Sequence, residues 1–322
     1  NVSLMPWLAL TTLLHCILIL EKKAALISWT IILSITTFTL SMCGTFLVRS
    51  GILNSVHTFA NDPERGLFIL TFLFVLIFIA LLIFFIFHKS DSQSSGSFFL
   101  LSKETSILIN NWFMMYFLSV VLIGTLYPIF LDVISSQKIS VGPPFYHKLI
   151  IPFLILFLIF MAIGPQLKWI KSRLEKRLNL VILFIISLLI AFFIVKNLEI
   201  NFLVNTVLIG SAFYLFFITI RDFFLKGFKD IQQNIAHFGF SLLILSILFN
   251  NIFSSELITN LKVGESFKNN RFEIIFNDLK KFEEKNYISF KGNFSIRENE
   301  LEEELEPELR IYNQPNIITS EA

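Results

Sequence analysis

Two histidines lie inside long apolar segments of the sequence, where a titratable ring is unusual. His15 lies six residues before Glu21, and His237 lies seven residues after Asp230. At 1.5 Å per residue, each ring would sit roughly 9–10 Å inside the same membrane boundary. An imidazole is costly in lipid unless it is paired, so its presence there indicates a functional site. Two neutral imidazoles at one depth can supply both axial ligands of a haem iron, and we predict such a pair.

Depth alone leaves a second interpretation of these histidines open. Each ring could instead hydrogen-bond a neighbouring helix and act as an interhelical contact without any cofactor. A shared haem also requires that the helices carrying His15 and His237 lie side by side, and the sequence alone does not establish that contact.

A third histidine, His57, lies in a polar connection between two apolar segments. The Ile, Leu, Val and Phe residues around it follow an amphipathic pattern that favours a short helix on the membrane surface. A histidine there can bind a metal or haem from the aqueous side. Arg49 and Arg65, at the two ends of the connection, can neutralise haem propionates. The alternative is a solvated loop histidine.

The sequence contains no other recognisable catalytic constellation. G-x-S-x-G, Walker, dinucleotide-binding and H-E-x-x-H motifs are all absent. Cys16 and Cys43 lie within apolar segments without a C-x-x-C spacing, so we interpret them as packing residues. His88 and His147 lie at segment ends, and we interpret them as interfacial residues. Any chemistry must therefore be carried by a bound cofactor.

The composition predicts that a membrane bundle positions these histidines. Of 322 residues, 55% are hydrophobic, 16% are charged and 39 are Phe, with a mean hydropathy of +0.72. Such values exclude an ordinary soluble domain. The apolar runs are close to the roughly 20 residues that a helix needs to cross a bilayer. The predicted spans are residues 4–20, 24–48, 67–87, 106–131, 149–167, 180–196, 203–220 and 234–253.

The distribution of Lys and Arg orients these predicted helices. Alternate connections form two sets, one with twelve basic residues and one with four. The basic set comprises residues 21–23, 88–105, 168–179 and 221–233, and the other comprises residues 49–66, 132–148 and 197–202. The positive-inside rule places the basic set in the cytoplasm, so His57 and the C-terminal tail would face the periplasm or its equivalent. The charge thus indicates topology and not a nucleic-acid partner.

Residues 254–322 differ from the rest in being polar and acidic. Alternation of apolar and polar residues at 271–276 and 286–297 predicts half-buried strands. The acidic run at 302–304 is interpreted as a solvated loop. The predicted fold class is therefore an all-α polytopic membrane bundle of about eight transmembrane helices, residues 1–253, with a small C-terminal periplasmic β-rich domain, residues 254–322.

Several motifs resemble those of one known family. Residues 44–53, GTFLVRSGIL, are followed by SVH at 55–57 and DPERG at 62–66, and this run closely resembles the signature of the CcmF cytochrome c haem lyases. Further similar motifs follow in the family's order at residues 5–8, 110–111, 124–128, 140–144, 164–165, 236–237 and 305–312. The resemblance implies a C-terminal portion, from a fragment or a split gene, that lacks the family's upstream Trp-rich segment.

The resemblance implies roles for the same three histidines. His15 and His237 would ligate a b-type haem within the membrane. His57 would act as the catalytic residue that holds the haem delivered by the periplasmic haem chaperone CcmE, with Arg49 and Arg65 beside it. The implied reaction forms thioether bonds between haem vinyl groups and the C-x-x-C-H cysteines of apocytochrome c.

The resemblance also implies a location and further partners. The location would be the bacterial inner membrane, or the mitochondrial inner membrane. Besides CcmE and apocytochrome c, the partners would be thiol-handling CcmH-type subunits, the lipid bilayer and a quinol as one candidate reductant, with no nucleic acid. The chain alone would be inactive as a lyase. Two other classes stay open: a proton-coupled transporter or respiratory proton-channel subunit, and a non-enzymatic haem-binding assembly scaffold.

Overall fold

The computed structural model describes residues 2–49, 63–88, 98–135, 141–171, 178–196, 198, 201–227, 230–254, 258–269, 272–298, 301–312 and 317–321. Within these residues, eight helices are long and apolar enough to cross a membrane. They are α1 (Leu4–Lys23), α2 (Ile27–Arg49), α3 (Pro63–Phe87), α4 (Lys103–Ser135), α5 (Pro143–Ile163), α6 (Leu178–Val195), α7 (Phe202–Lys226) and α8 (Ile231–Phe253). The predicted polytopic helical bundle is confirmed.

Helix α7 extends six residues beyond its predicted end at residue 220, to Lys226. The side chain of Lys226 donates a hydrogen bond of 2.7 Å to Asp222, one turn earlier, and such pairs stabilise helices. Gly227 follows with a φ of 55°, a positive value that glycine adopts without steric cost. A stretch interpreted as the start of a cytoplasmic loop is therefore the last turn of a helix.

Helix α5 begins at Pro143, six residues before its predicted start at residue 149. Proline is favoured in the first turn of a helix, because the missing N–H would have no intrahelical partner there. Gly142 precedes it in an extended conformation. The prediction from hydropathy alone missed this turn because Tyr146, His147 and neighbouring residues are less apolar than the span.

The core of the bundle is formed by α4 against α1 and α5, and by α7 against α5, α6 and α8. Buried side chains from these helices share one apolar cluster, which includes Met5, Leu118, Leu158, Leu215 and Leu245. At Gly210, the absence of a side chain lets α7 approach α6, since a Cβ there would lie 2.6 Å from a methyl carbon of Leu188. The two helices that carry His15 and His237 thus join the same core.

Helix α3 contributes little to this core. Its aromatic residues are largely exposed, with Phe74 at 71% and Phe85 at 77%. One aliphatic side chain of α3, Leu73, is buried, with 2% of its surface exposed. An apolar surface of this kind is what lipid covers in a membrane bundle, so the chain is a multi-pass membrane protein.

Beyond α8 the chain forms a six-stranded antiparallel sheet. Its strands are β1 (Ser266–Lys268), β2 (Glu273–Glu283), β3 (Tyr287–Glu298), β4 (Leu301–Leu305), β5 (Glu308–Tyr312) and β6 (Ile317–Glu321). The order is β1-β2-β3-β5-β6, with β4 also paired to β3. Strands β2 and β3 correspond to the two predicted strands. The sheet lies in a compact unit of its own, which contains Ser254–Ala322, whereas Glu64–Phe253 belong to the helical unit.

The acidic run at 302–304 is not the loop that was predicted. It forms most of β4, paired in antiparallel register with β3, and Glu302 lies opposite Arg297. The two side chains form an ion pair of 3.0 Å. Consecutive glutamates can occupy a strand here because all three side chains are exposed, so their charges stay in water and one of them gains a cross-strand partner.

Candidate functional site

The side chain of His15 is oriented by a contact with α4. Its Nδ1 lies 3.0 Å from Oδ1 of Asn111. The amide nitrogen of Asn111 donates to the backbone oxygen of Thr12 at 3.4 Å and lies 3.4 Å from Sγ of Cys16. Asn111 is only 6% exposed, so these contacts lie within the packed α1–α4 interface. Cys16 is therefore a packing residue with a polar neighbour, as its position in an apolar segment predicted.

His237 is half-buried on α8. Within the part of the chain that the structure describes, neither ring nitrogen of His237 has a hydrogen-bond partner, and neither does Nε2 of His15. The interhelical-contact interpretation accounts for Nδ1 of His15, which bonds to α4. It does not account for His237.

An aromatic contact joins the two helices that carry these histidines. Trp7 of α1 stacks on Phe240 of α8, with ring centroids 6.3 Å apart. Phe240 also packs edge-on against Phe157 of α5 at 5.8 Å. His15 lies roughly 12 Å beyond Trp7 along α1, and His237 lies roughly 4.5 Å before Phe240 along α8. If the helices alternate in direction across the bilayer, both histidines lie on the same side of this contact, about one to two turns apart in height.

The cation Lys103 lies near His237, at the end of the bundle where α4 and α8 begin. The Lys103 ammonium, at the start of α4, donates to Oε1 of Gln233 at 3.1 Å, and Gln233 lies one turn before His237. The same ammonium lies over the Trp169 ring, 5.4 Å from its centroid. An anionic group bound between the two histidines would therefore meet a positive charge at this end.

Two buried carboxylates lie at the same end of the bundle, both in stretches that hydropathy predicts as loops. Glu104, fully buried in the first turn of α4, forms an ion pair of 3.1 Å with Lys23. Its two oxygens accept the backbone N–H of Ile170 at 2.9 and 3.1 Å. Asp222 accepts hydrogen bonds from Lys226 and from Gln166. The Asp222–Lys226 spacing of four residues was the one sequence signal that could have identified a helical pair.

The second predicted site lies mostly outside the described residues. His57 is not among them, and of Arg49 the structure gives only its place as the last residue of α2. Arg65 is exposed in the first turn of α3. The periplasmic haem site built from these three residues stays a prediction.

The remaining histidines lie apart from the His15–His237 pair. Nε2 of His88 lies 3.0 Å from Oγ of Ser28, and its ring stacks on Phe84 at 4.7 Å, so it fastens the end of α3 to α2. His147 is exposed near the start of α5. Among the described residues, no three His, Cys, Asp or Glu side chains form a group that could hold a metal ion alone. A haem iron needs only two protein ligands, because the porphyrin supplies four nitrogens.

A family model described as CcmF C-terminal beta-sandwich matches residues 252–322. CcmF of Pseudomonas fluorescens is 35% identical over 339 residues, covering all of this chain and 51% of that protein. CcmF of Escherichia coli strain K12 is 32% identical over 333 residues, again covering all of this chain and 51% of the relative. CycK of Bradyrhizobium diazoefficiens is 46% identical over 175 residues, or 54% of this chain and 26% of CycK.

The fold also matches a solved structure. A cytochrome c heme lyase CcmF superposes with a TM-score of 0.68 at 21% identity, covering 99% of this chain and 50% of that one. The chain spans about half the length of the curated relatives it matches, at 51% of the two CcmF proteins. The similarity runs through both the helices and the sheet. The resemblance inferred from the motifs is thereby confirmed, and the chain belongs to the family of CcmF cytochrome c-type biogenesis proteins.

Proposed function

We propose that this chain forms the haem-binding membrane portion of a CcmF-type haem lyase, in which His15 and His237 together ligate a b-type haem. The observation that carries the proposal is the aromatic contact between the first and last helices of the bundle, each of which carries a histidine with Nε2 unengaged within the described residues. Imidazoles placed in this way suit six-coordinate iron better than they suit proton transfer, which requires a continuous chain of polar groups.

The surroundings of the pair fit such a group. Trp7 and Phe240 supply an aromatic wall beside it, and the α1–α4 interface holds His15 in place. Lys103 places a positive charge near His237, where it would stabilise a propionate. When bound, a b-type haem supplies a one-electron redox centre. The protein's own part is to fix the two rings, exclude water and balance the propionate charge.

The reaction proposed for the complete protein takes place on the other face of the membrane. Haem delivered by the chaperone CcmE would be the substrate, held by His57 with Arg49 and Arg65 near its propionates. Each apocytochrome c cysteine adds across a vinyl group: the sulfur bonds to one vinyl carbon and the thiol hydrogen ends on the other, so no atom is lost. Holding haem and thiols together makes this encounter effectively intramolecular. CcmH-type subunits would present the thiols. A quinol would supply the electrons that keep the haem iron reduced.

The proposal also fixes an orientation in an inner membrane. The basic connections face the cytoplasm, so the His15–His237 pair lies in the inner leaflet and the sheet lies in the periplasm. The half of the CcmF relatives that this chain does not match would correspond to further parts of the periplasmic site.

Replacement of either membrane histidine tests the proposal directly. In the complete membrane protein, His15→Ala and His237→Ala should each abolish the bis-His absorption spectrum, because one axial ligand is lost. His147→Ala, which removes an exposed histidine, is the matched control and should leave the spectrum intact. Unchanged spectra in both single variants would refute the assignment.

The periplasmic half of the proposal has a separate readout. His57→Ala should spare the b-haem spectrum and reduce the amount of haem-loaded chaperone that co-purifies with the protein. Equal recovery of loaded chaperone with the wild type and with His57→Ala would contradict the role given to His57.

A proton-conducting function has one observation in its favour, the buried carboxylates Glu104 and Asp222. Each is already paired with a lysine, Lys23 or Lys226, and both lie at the same end of the bundle. They therefore form no path across the membrane. Proton uptake by proteoliposomes containing the haem-free protein, at a rate above that of protein-free vesicles, would favour this alternative over the haem assignment.

A further inference from the structure

The three contacts of Asn111 fix which way its amide points. The backbone oxygen of Thr12 can only accept a hydrogen bond, so the atom of Asn111 that faces it at 3.4 Å must be the amide nitrogen. The opposite orientation would place two acceptors against each other. The amide oxygen therefore faces Nδ1 of His15, at 3.0 Å.

This orientation determines the tautomer of His15. An amide oxygen is only an acceptor, so Nδ1 must carry the proton and donate it to Asn111. The lone pair of the neutral ring is then on Nε2, which has no partner within the described residues. An imidazole binds a metal through its unprotonated nitrogen, and the bond made by the other nitrogen decides which one that is.

We propose that Asn111 is a positioning residue for the axial ligand His15: it fixes the Nδ1–H tautomer and the ring orientation, and it lowers the midpoint potential of the bound haem. This inference rests on the proposed function. A hydrogen-bond acceptor on the outer nitrogen raises the basicity of the ligating nitrogen, which favours the ferric state of the iron.

The position of Asn111 suits this role because its helix is packed into the bundle there. Phe113 and Met114, two and three residues further along α4, belong to the apolar core of the bundle. His237 has no corresponding acceptor in the described part of the chain. Within the described residues, a side chain therefore tunes the iron through His15 and not through His237.

The test is a redox titration of the b-haem in the complete membrane protein. Asn111→Leu removes the acceptor while keeping a similar volume, and it should give a more positive midpoint potential with the bis-His spectrum retained. Haem affinity should also fall, by about tenfold or more. Asn110→Leu is the matched control, since Asn110 is the preceding residue on α4 and is similarly buried, at 7% exposure. Its potential should equal that of the wild type.

Two outcomes would overturn the inference: a wild-type potential in Asn111→Leu, or an equal shift in Asn110→Leu. If Asn111→Leu does not accumulate, Asn111→Ala decides the matter. It also removes the acceptor that faces Nδ1, so the potential should again become more positive. An unchanged or more negative potential in that variant would also overturn the inference. Absence of a bis-His spectrum in the wild type would instead refute the proposed function.

Discussion

The helical bundle and the C-terminal sheet use charged and polar side chains in opposite ways. In the bundle, polar groups are few and buried, and single contacts such as His15–Asn111 and Lys23–Glu104 join helices that are distant in the sequence. In the sheet, ion pairs are numerous and largely exposed, as in Arg297–Glu302, where both side chains are about half exposed. A polar contact in the bundle therefore indicates a specific structural or functional demand, whereas one in the sheet is a replaceable surface feature.

The largest effect on stability is expected from Glu104→Ala, which would sharpen this comparison. The change leaves the Lys23 ammonium and the Ile170 N–H without their buried partner. Removing one member of a buried pair costs about 3 kcal/mol. Thermal unfolding of the detergent-solubilised protein measures the loss. Glu64→Ala, at an exposed position in the first turn of α3, is the control and should change the transition little. Equal effects of the two variants would mean that burial does not distinguish these glutamates.

A smaller effect is expected where two helices approach through a missing side chain. In Gly210→Ala, the new Cβ would lie 2.6 Å from a methyl carbon and 3.2 Å from Cα of Leu188, so α6 and α7 must move apart. Overpacking of this kind costs about 1–3 kcal/mol. Gly239→Ala on α8 is the control, because nothing lies within 4 Å of a Cβ there. Its melting temperature should stay constant or rise, and a fall as large as that of Gly210→Ala would contradict the close approach.

The smallest effects are expected in the sheet. Arg310 donates to Glu308 at 2.7 Å and holds the pKa of that carboxyl below its usual range. A carboxyl with a lowered pKa in the folded state stabilises the fold above its unfolded pKa, and this contribution disappears as the pH falls through the folded value. Arg310→Met should therefore lower the melting temperature slightly at neutral pH and not at all in strong acid. A larger loss than that of Glu104→Ala would reverse the comparison between the two regions.

The existence of the helices could be predicted because each is a long apolar run, and a bilayer accepts few other structures. Their ends could not. Helix α7 runs on to Lys226 because Asp222 is paired with that lysine and with Gln166, and the second contact comes from a distant part of the chain. The strand at 302–304 was missed for a similar reason, since its partner Arg297 matters only once β3 and β4 are paired.

The candidate site could be predicted in part. His15 and His237 were singled out by their depth, a local property of the sequence. The contact between Asn111 and His15 could not be predicted, because it joins residues that are 96 positions apart. The roles given to His57, Arg49 and Arg65 came from the family resemblance, and they stay predictions.

The contact between Trp7 and Phe240 has a consequence for the order of assembly. His15 and His237 are 222 positions apart, and the helices that carry them are the first and the last of the bundle. At about 5–20 residues per second, a ribosome needs roughly ten to forty seconds to get from one to the other. During that interval α1 can already dock on α4 through Asn111, whereas its eventual neighbour has not been synthesised. At the proposed haem site, capture between the two histidines therefore requires that α8 has been synthesised, so a nascent chain stalled after α7 should not retain haem.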